Sequence, residues 1–381
     1  MVSGVFLIVQ NLRRKQIRNK RNLTLSCAAW ALIAHFYPVW GQRGRDYGRD
    51  AFLLTFRLAC LIFLKKFPLP FMSRRVFDEI EGLTTESIHP RSAELDAFSV
   101  RQILDFMSDE DAGVAAAVRK VLPDVERAVE LVLRSFQAGG RLIYIGAGTS
   151  GRLGILDAAE CPPTFGSDPG QVVGIIAGGR EAVFRSREGV EDHGDQGASD
   201  LKAVDLKPND TVVGITASRR TPYVLGALEY ARSVGAATVF LICNPPRSLD
   251  QAEPIAAVVI APVLGPEVLM GSTRLKAGSA TKMILNMIST AAFIRCGKVY
   301  RGMMVDLQAW SQKLKARSRR VLMLAADLDY DSAGEVLEQA GGSVKTAIVM
   351  ALCEVDKMTA RRLLEQSGGF VRGAVSAPHK T

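Results

Sequence analysis

Five short runs rich in β-branched and aliphatic residues recur through the middle of the chain: RLIYI at 141–145, QVVGII at 171–176, TVVGI at 211–215, ATVFLI at 237–242 and AAVVIA at 256–261. Helical or loop segments separate them, and no other feature restricts the fold as much. A strand that must cross over before the next begins pairs parallel to it, and near-continuous apolar runs need cover on both faces. The expected class is α/β, a parallel sheet flanked by helices. In such sheets ligands sit beyond the carboxyl ends of the strands. That rule points to the loops after residues 145, 176 and 215. One helix is legible before the first strand, where Val125, Val129, Val132, Leu133 and Phe136 recur at helical spacing between Pro123 and Gly139-Gly140.

After about residue 300 the strand signal stops. Residues 301–381 read as short helices joined by Gly-rich turns, a small helical C-terminal subdomain, with no internal repeat apparent. Residues 131–300 hold the sheet, and 72–130 read as an N-terminal helical segment. Residues 1–71 are unlike the rest: they carry 12 Lys+Arg against 2 Asp+Glu, whereas 72–381 carry 36 against 37. The net charge of +9 therefore belongs to the first segment, and the body gives no electrostatic reason to expect nucleic acid. The apolar stretches Leu23–Ala34 and Ala51–Leu64 are shorter than the ~20 residues that span a bilayer. The first resembles a late, poorly terminated signal segment. The reading adopted is that 1–71 is translated upstream sequence and Met72 the start, with membrane association as the rival.

Three constellations could carry chemistry. Gly146-Ala147-Gly148-Thr149-Ser150-Gly151 joins a strand to a helix, so small residues, free helix N–H groups and two hydroxyls would face an anion. It lacks the GK[ST] of a Walker loop, and by itself serves simple turn chemistry as well as a phosphate site. Thr216-Ala217-Ser218-Arg219-Arg220-Thr221-Pro222 repeats the logic after the third strand, with Pro222 suited to the first helical turn. Two hydroxyl-rich loops at one sheet edge favour a phosphate pocket over two unrelated caps. The third constellation is Glu160 and Glu191, two carboxylates that could divide acid and base roles; spacing alone favours reading each as a solvated surface group.

Six dispersed cysteines (Cys27, Cys60, Cys161, Cys243, Cys296, Cys353) form no CxxC pair and read as reduced thiols. His193, between Asp192 and Asp195, lies on no recognisable ligand spacing and reads as loop surface. No metal site and no Ser/His/Asp arrangement is legible.

The stretches RLIYIGAGTSGRLGILDAAECPPTFG, TPYVLGALEYAR and GSTRLKAGSATKMILNMIST together resemble the N-acetylmuramic acid 6-phosphate etherases. Those enzymes share the sugar isomerase (SIS) fold with sugar isomerases and the glucokinase regulatory protein. The resemblance runs from about Thr84 to about Val375, and EGVED at 188–192 and KTAIVM at 345–350 extend it. It implies cleavage of the lactyl ether at carbon 3 of the sugar phosphate, by elimination and addition of water, without a cofactor. It implies Glu160 as proton donor to the ether oxygen and Glu191 as the partner acting at carbon 2. It assigns Gly148, Thr149, Ser150, Ser218, Thr221, Ser272 and Lys276 to substrate and phosphate binding. A cytoplasmic homodimer without membrane or nucleic-acid partners is expected.

Departures from the family pattern are few. The second loop reads Ser218-Arg219-Arg220-Thr221 where SGRT is usual, and a positive φ at Arg219 would cost about 1–2 kcal/mol. Ala309-Trp310-Ser311-Gln312-Lys313-Leu314 replaces ATNxKL, His89 stands where Asn is usual, and Met270 replaces a small polar residue. The rivals are a sugar-phosphate isomerase on the same fold and a non-catalytic sugar-phosphate sensor, which would need neither Glu160 nor Glu191.

Overall fold

The computed structural model describes residues 81–245, 255–307 and 311–376. The readings made for residues 1–71 lie outside these residues. Helices α1 (Val100–Ala112), α2 (Val114–Lys120) and α3 (Leu122–Gln137) precede the sheet. Then come β1 (Leu142–Gly146), α4 (Gly148–Phe165), β2 (Val172–Ile176), α5 (Glu181–Phe184), α6 (Gly194–Ala203), β3 (Thr211–Ile215), α7 (Pro222–Val234), β4 (Ala237–Leu241), β5 (Val258–Ile260) and α8 (Lys276–Arg295). All five strands pair in parallel in the order β2-β1-β3-β4-β5. Each falls inside a run expected from the sequence or within one residue of it.

Alternate strand residues feed two separate cores, as the pleat requires. Leu142, Tyr144, Val213, Ile215, Val239 and Leu241 pack beneath α3, α4 and α8. Ile143, Ile145, Val212 and Phe240 pack on the opposite face beneath α6 and α7. Helix α4 lies so close to the sheet that a Cβ at Gly154 would sit 2.8 Å from the Cβ of Tyr144. Only glycine permits that approach. Helix α4 also runs through Pro162 and Pro163 and stops at Gly166, whose φ of 60° ends it in the left-handed conformation.

A two-residue hairpin, β6 (Val299–Tyr300) with β7 (Met303–Met304), leads out of the sheet domain. Helices α9 (Gln312–Ala326), α10 (Tyr330–Gln339), α11 (Val344–Cys353), α12 (Lys357–Gln366) and α13 (Val371–Ser376) follow and close around their own core, which includes Leu322, Ala333, Ile348 and Ala360.

The expectation of no internal repeat is corrected here, because α10–α11 and α12–α13 are two copies of one unit. Asp327 and Glu354 cap the preceding helices at φ of 54° and 53°. Asp329 and Asp356 then accept N–H bonds at the next helix start. Gly341-Gly342 and Gly368-Gly369 turn the chain at positive φ. Ala333 and Ala360, Val344 and Val371, and Ala347 and Ala374 are buried at matching places. The copies also share Leu337-Glu338-Gln339 and Leu364-Glu365-Gln366 ahead of the Gly-Gly turns.

Candidate active site

The strand order reverses direction between β1 and β3, so the loops leaving them diverge and open a crevice. Gly146 pairs in register with Ile215, which brings both loops to the edge at the same level. In the first loop Ala147 is extended and Gly148 has a φ of 54°. A Cβ on Gly151 would sit 2.6 Å from the Gly146 carbonyl oxygen. Helix α4 begins there without a side-chain cap, whereas Ser99, Ser311, Asp329, Ser343 and Asp356 cap other helices. The N–H groups of Gly148, Thr149 and Ser150 thus head an uncapped helix, and the Thr149 and Ser150 side chains stand half-buried beside them.

The second loop folds on its own hydroxyls. Thr216 Oγ1 lies 2.6 Å from Thr221 Oγ1 and 3.3 Å from Ser218 Oγ, and Arg220 N–H donates to Ser218 Oγ. Helix α7 also starts without a side-chain cap, and Pro222 offers no N–H. Arg219 has a φ of 67°, so the condition for backbone strain is met. Its guanidinium donates to the Pro245 carbonyl at 3.0 Å, which ties the loop to the end of β4.

The 271–276 segment closes a third side. A Cβ on Gly278 would lie 3.6 Å from Thr149 Cγ2 and 3.7 Å from the Thr273 carbonyl oxygen. Ser272 is half-buried in this turn. Lys276 is nearly inaccessible, and its ammonium donates to Glu110 Oε2 at 2.7 Å and to the Leu264 carbonyl at 3.0 Å. The ammonium is therefore committed inside the protein. The backbone N–H groups of Lys276 and Ala277 donate to the buried Glu267 carboxylate, which occupies the start of α8. Burial raises the Glu267 carboxyl above its ordinary range, against those two hydrogen bonds. Burial would also raise Glu110, but Lys276, His89 and Arg91 together hold it below its ordinary value. His89 Nε2 lies 3.2 Å from Glu110 Oε1, and its Nδ1 accepts from the Arg91 N–H. Histidine thus caps the 3-10 turn Pro90–Ser92, a task that asparagine also performs.

Glu191 is half-buried in the 3-10 turn Val190–Asp192. The chain just after its turn lies near the start of α7: a Cβ on Gly194 would lie 3.2 Å from the Pro222 carbonyl oxygen. Glu160 is not brought to this place. It is exposed, inside α4, about ten residues and hence about 15 Å along the axis from Ser150. Its neighbour Cys161 is buried, and burial with the nearby Asp157 pushes the thiol up to about 12. His193 is exposed, and among the described residues no group of His, Cys, Asp and Glu could hold a metal ion.

Sequence reasoning passed over the buried Asp157, which accepts from the Tyr144 hydroxyl at 2.9 Å, the Asn286 amide at 2.6 Å and the Ser289 hydroxyl at 3.1 Å. This network fixes α4 against α8. An acidic residue inside the otherwise apolar face of α4 was its only sequence signal.

Residues 124–232 match the family model of the glucokinase regulatory protein N-terminal SIS domain. The N-acetylmuramic acid 6-phosphate etherase of Salinibacter ruber is 53% identical over 281 residues, which are 74% of this chain and 89% of the relative. The enzyme of the same name from Symbiobacterium thermophilum is 54% identical over 274 residues, 72% of this chain and 90% of the relative. Among solved structures, a phosphoheptose isomerase from Neisseria gonorrhoeae superposes with a TM-score of 0.38 at 14% identity, covering 51% of this chain and 99% of that one.

Proposed function

The chain belongs to the N-acetylmuramic acid 6-phosphate etherases, and from that premise we propose how its site opens the ether. The enzyme cleaves the D-lactyl ether of N-acetylmuramic acid 6-phosphate to N-acetylglucosamine 6-phosphate and D-lactate. The observation that carries the placement of substrate is the uncapped start of α4 level with the Ser218–Thr221 loop. The 6-phosphate binds there, on the N–H groups of Gly148, Thr149 and Ser150 and on neighbouring hydroxyls. Glu191, at the same edge, takes the proton on carbon 2 of the open-chain aldehyde. The electron pair forms the carbon 2–carbon 3 double bond as the ether oxygen leaves. Lactate is a poor leaving group as an alkoxide, so an acid must protonate that oxygen, and Glu160 is the donor. Water then adds at carbon 3 of the unsaturated aldehyde.

Glu160 lies too far along α4 to serve the phosphate loops of its own chain. We therefore place it in the site of a second copy, which makes the homodimer the active unit. The outer face of α4 supports this, since Leu156 is 50% exposed one turn before Glu160. The adjoining α8 adds an open trough lined by Met283, Met287, Ala291 and Ile294. Cytoplasmic residence is supported by the free cysteines, of which Cys161 and Cys243 are buried. No described helix is long and apolar enough to cross a membrane. The experiment is incubation with the sugar phosphate in deuterated water, with lactate assayed and carbon 2 followed by NMR. Glu160→Gln is expected to exchange the carbon 2 proton without releasing lactate, and Glu191→Gln to do neither. Lactate release by Glu160→Gln at a near-normal rate would remove it as the acid.

A further inference from the structure

The substrate of an etherase carries a second anion, the lactyl carboxylate, which has to be accepted close to carbon 3 and therefore close to Glu191. The segment that ends at Glu191 is built unlike the rest of the sheet edge. It opens at Gly178 and Gly179, with φ of 83° and 71°, and closes at Gly189, with φ of 81°. Between them lie Arg180, Arg185 and Arg187, with Glu181 and Glu188. Arg152 of α4 anchors the segment: its Nε donates to the Val183 carbonyl at 2.9 Å and its Nη2 to the Ala182 carbonyl at 2.8 Å. That guanidinium is spent on the carbonyls of α5.

Arg187 is differently placed. A Cβ on Gly178 would lie 3.2 Å from Arg187 Cδ and 3.4 Å from Val190 Cγ1, so the arginine stem and the residue before Glu191 meet at one point. Arg187 Nη1 donates to the Gly178 carbonyl at 2.9 Å. Gly178 follows Ala177, whose N–H donates to the Gly146 carbonyl at the head of the phosphate loop. The guanidinium is thereby held at Gly178, one residue past the Ala177–Gly146 bond, with its stem beside Val190. It is exposed and forms no ion pair among the described residues. The nearest carboxylate in sequence, Glu188, instead accepts from the Ser186 hydroxyl at 2.6 Å. Arginine has five donors in a rigid fork, and one bond to Gly178 leaves most of that fork open to a carboxylate. Arg180 heads α5 and Arg185 ends it, and neither is held against Gly178 and Val190.

We infer that Arg187 binds the lactyl carboxylate of the substrate and so distinguishes the ether from sugar phosphates that lack it. The inference rests on the etherase reading. It has a sharp test because the product, N-acetylglucosamine 6-phosphate, keeps the sugar and the phosphate and lacks the carboxylate. Arg187→Met retains the apolar stem and removes the fork. It is expected to raise KM for N-acetylmuramic acid 6-phosphate about tenfold or more, the range of a lost charge-assisted hydrogen bond. The inhibition constant of N-acetylglucosamine 6-phosphate should stay within about twofold of wild type, since that ligand makes no contact that has been lost. Arg187→Lys should fall between, keeping charge without the fork, and Arg185→Met should alter neither constant. A parallel rise in both constants would mean that Arg187 only shapes the loop, and no rise in KM would mean that it does not touch substrate; either result overturns the inference alone. Failure of the wild-type protein to release lactate would overturn the etherase reading, and this inference with it.

Discussion

Glu110→Gln is expected to destabilise the fold more than Lys276→Met. The Lys276 side chain is 4% exposed and that of Glu110 is 20%, so the pair is buried chiefly on the lysine side. Breaking a fully buried pair costs about 3–5 kcal/mol, most of it the charge left behind. Solvent reaches one-fifth of Glu110, which lowers the figure to about 2–4 kcal/mol for Glu110→Gln. The Lys276 ammonium then loses its ion-pair partner and keeps the Leu264 carbonyl, with the Glu267 carboxylate nearby. Lys276→Met strands the better-served partner. Glu110 keeps His89 at 3.2 Å and its access to water, so about 1–2 kcal/mol is expected. The double variant removes both members of the pair, with the Glu267 carboxylate still buried nearby on its two N–H bonds, and should be no less stable than Glu110→Gln alone, a coupling of at least about 1 kcal/mol. Urea unfolding of the four proteins measures it. The sign with pH follows from the lowered Glu110 carboxyl. Its stabilisation is complete above the ordinary carboxylate range and is lost as pH falls through the folded value, so Glu110→Gln should flatten the acid limb of the stability curve. Additive losses, or a Glu110→Gln variant within about 0.5 kcal/mol of wild type, would refute the buried-pair account. The same variants test the expectation that Lys276 binds substrate, because a committed ammonium predicts a KM for Lys276→Met within about threefold of wild type.

Arg219→Gly should relieve a left-handed arginine worth about 1–2 kcal/mol and forfeit the bond to Pro245, so unfolding should shift little while KM changes more than kcat, measured by steady-state lactate release. Ala333→Leu and Ala360→Leu overfill matching positions of the helical repeat, both fully buried. Each should cost about 1–3 kcal/mol, and clearly unequal losses by thermal unfolding would argue that the copies do not pack alike. Prolonged treatment with a chelator should leave lactate release intact, since an aldehyde-assisted elimination needs no Lewis acid; activity restored only by one divalent ion would contradict this.

The parts of the fold legible in sequence were those set by short-range rules. Apolar runs of strand length gave the sheet, and the Gly, Ser and Thr clusters after β1 and β3 located the edge where those two strands end at the same level. What stayed hidden depended on distant partners. Nothing near Lys276 announces Glu110, which lies 166 positions away and reaches it through the N-terminal helices. The repeat stayed hidden because the copies differ at many exposed positions: Tyr330 answers to Lys357, and Glu335 to Arg362. Their shared signals, an aspartate cap, two buried alanines, a Leu-Glu-Gln run and a Gly-Gly turn, are each common by themselves. The position of Glu160 was masked by Pro162-Pro163, which suggest a helix end that the chain delays until Gly166.

The separation of Glu160 from the phosphate loops leads to a prediction about mixtures. If each site takes Glu191 from one copy and Glu160 from the other, Glu160→Gln and Glu191→Gln homodimers each have two defective sites. A mixed dimer differs. One of its sites combines the intact Glu191 of the first chain with the intact Glu160 of the second, and the other site carries both substitutions. Random exchange of equal amounts makes half of the dimers mixed, with half of their sites intact, so about one quarter of wild-type lactate release should return. Had both carboxylates acted within one chain, every site in the mixture would carry one defect and nothing would return. The mixture is made by mild denaturation and joint refolding, with each variant refolded alone as the control. Recovery near one quarter, rising with the completeness of exchange, is the expected result. Activity no higher than the sum of the separately refolded variants would place Glu160 outside the partner's site, and the acid for the ether oxygen would have to be sought among groups at the β1–β3 edge.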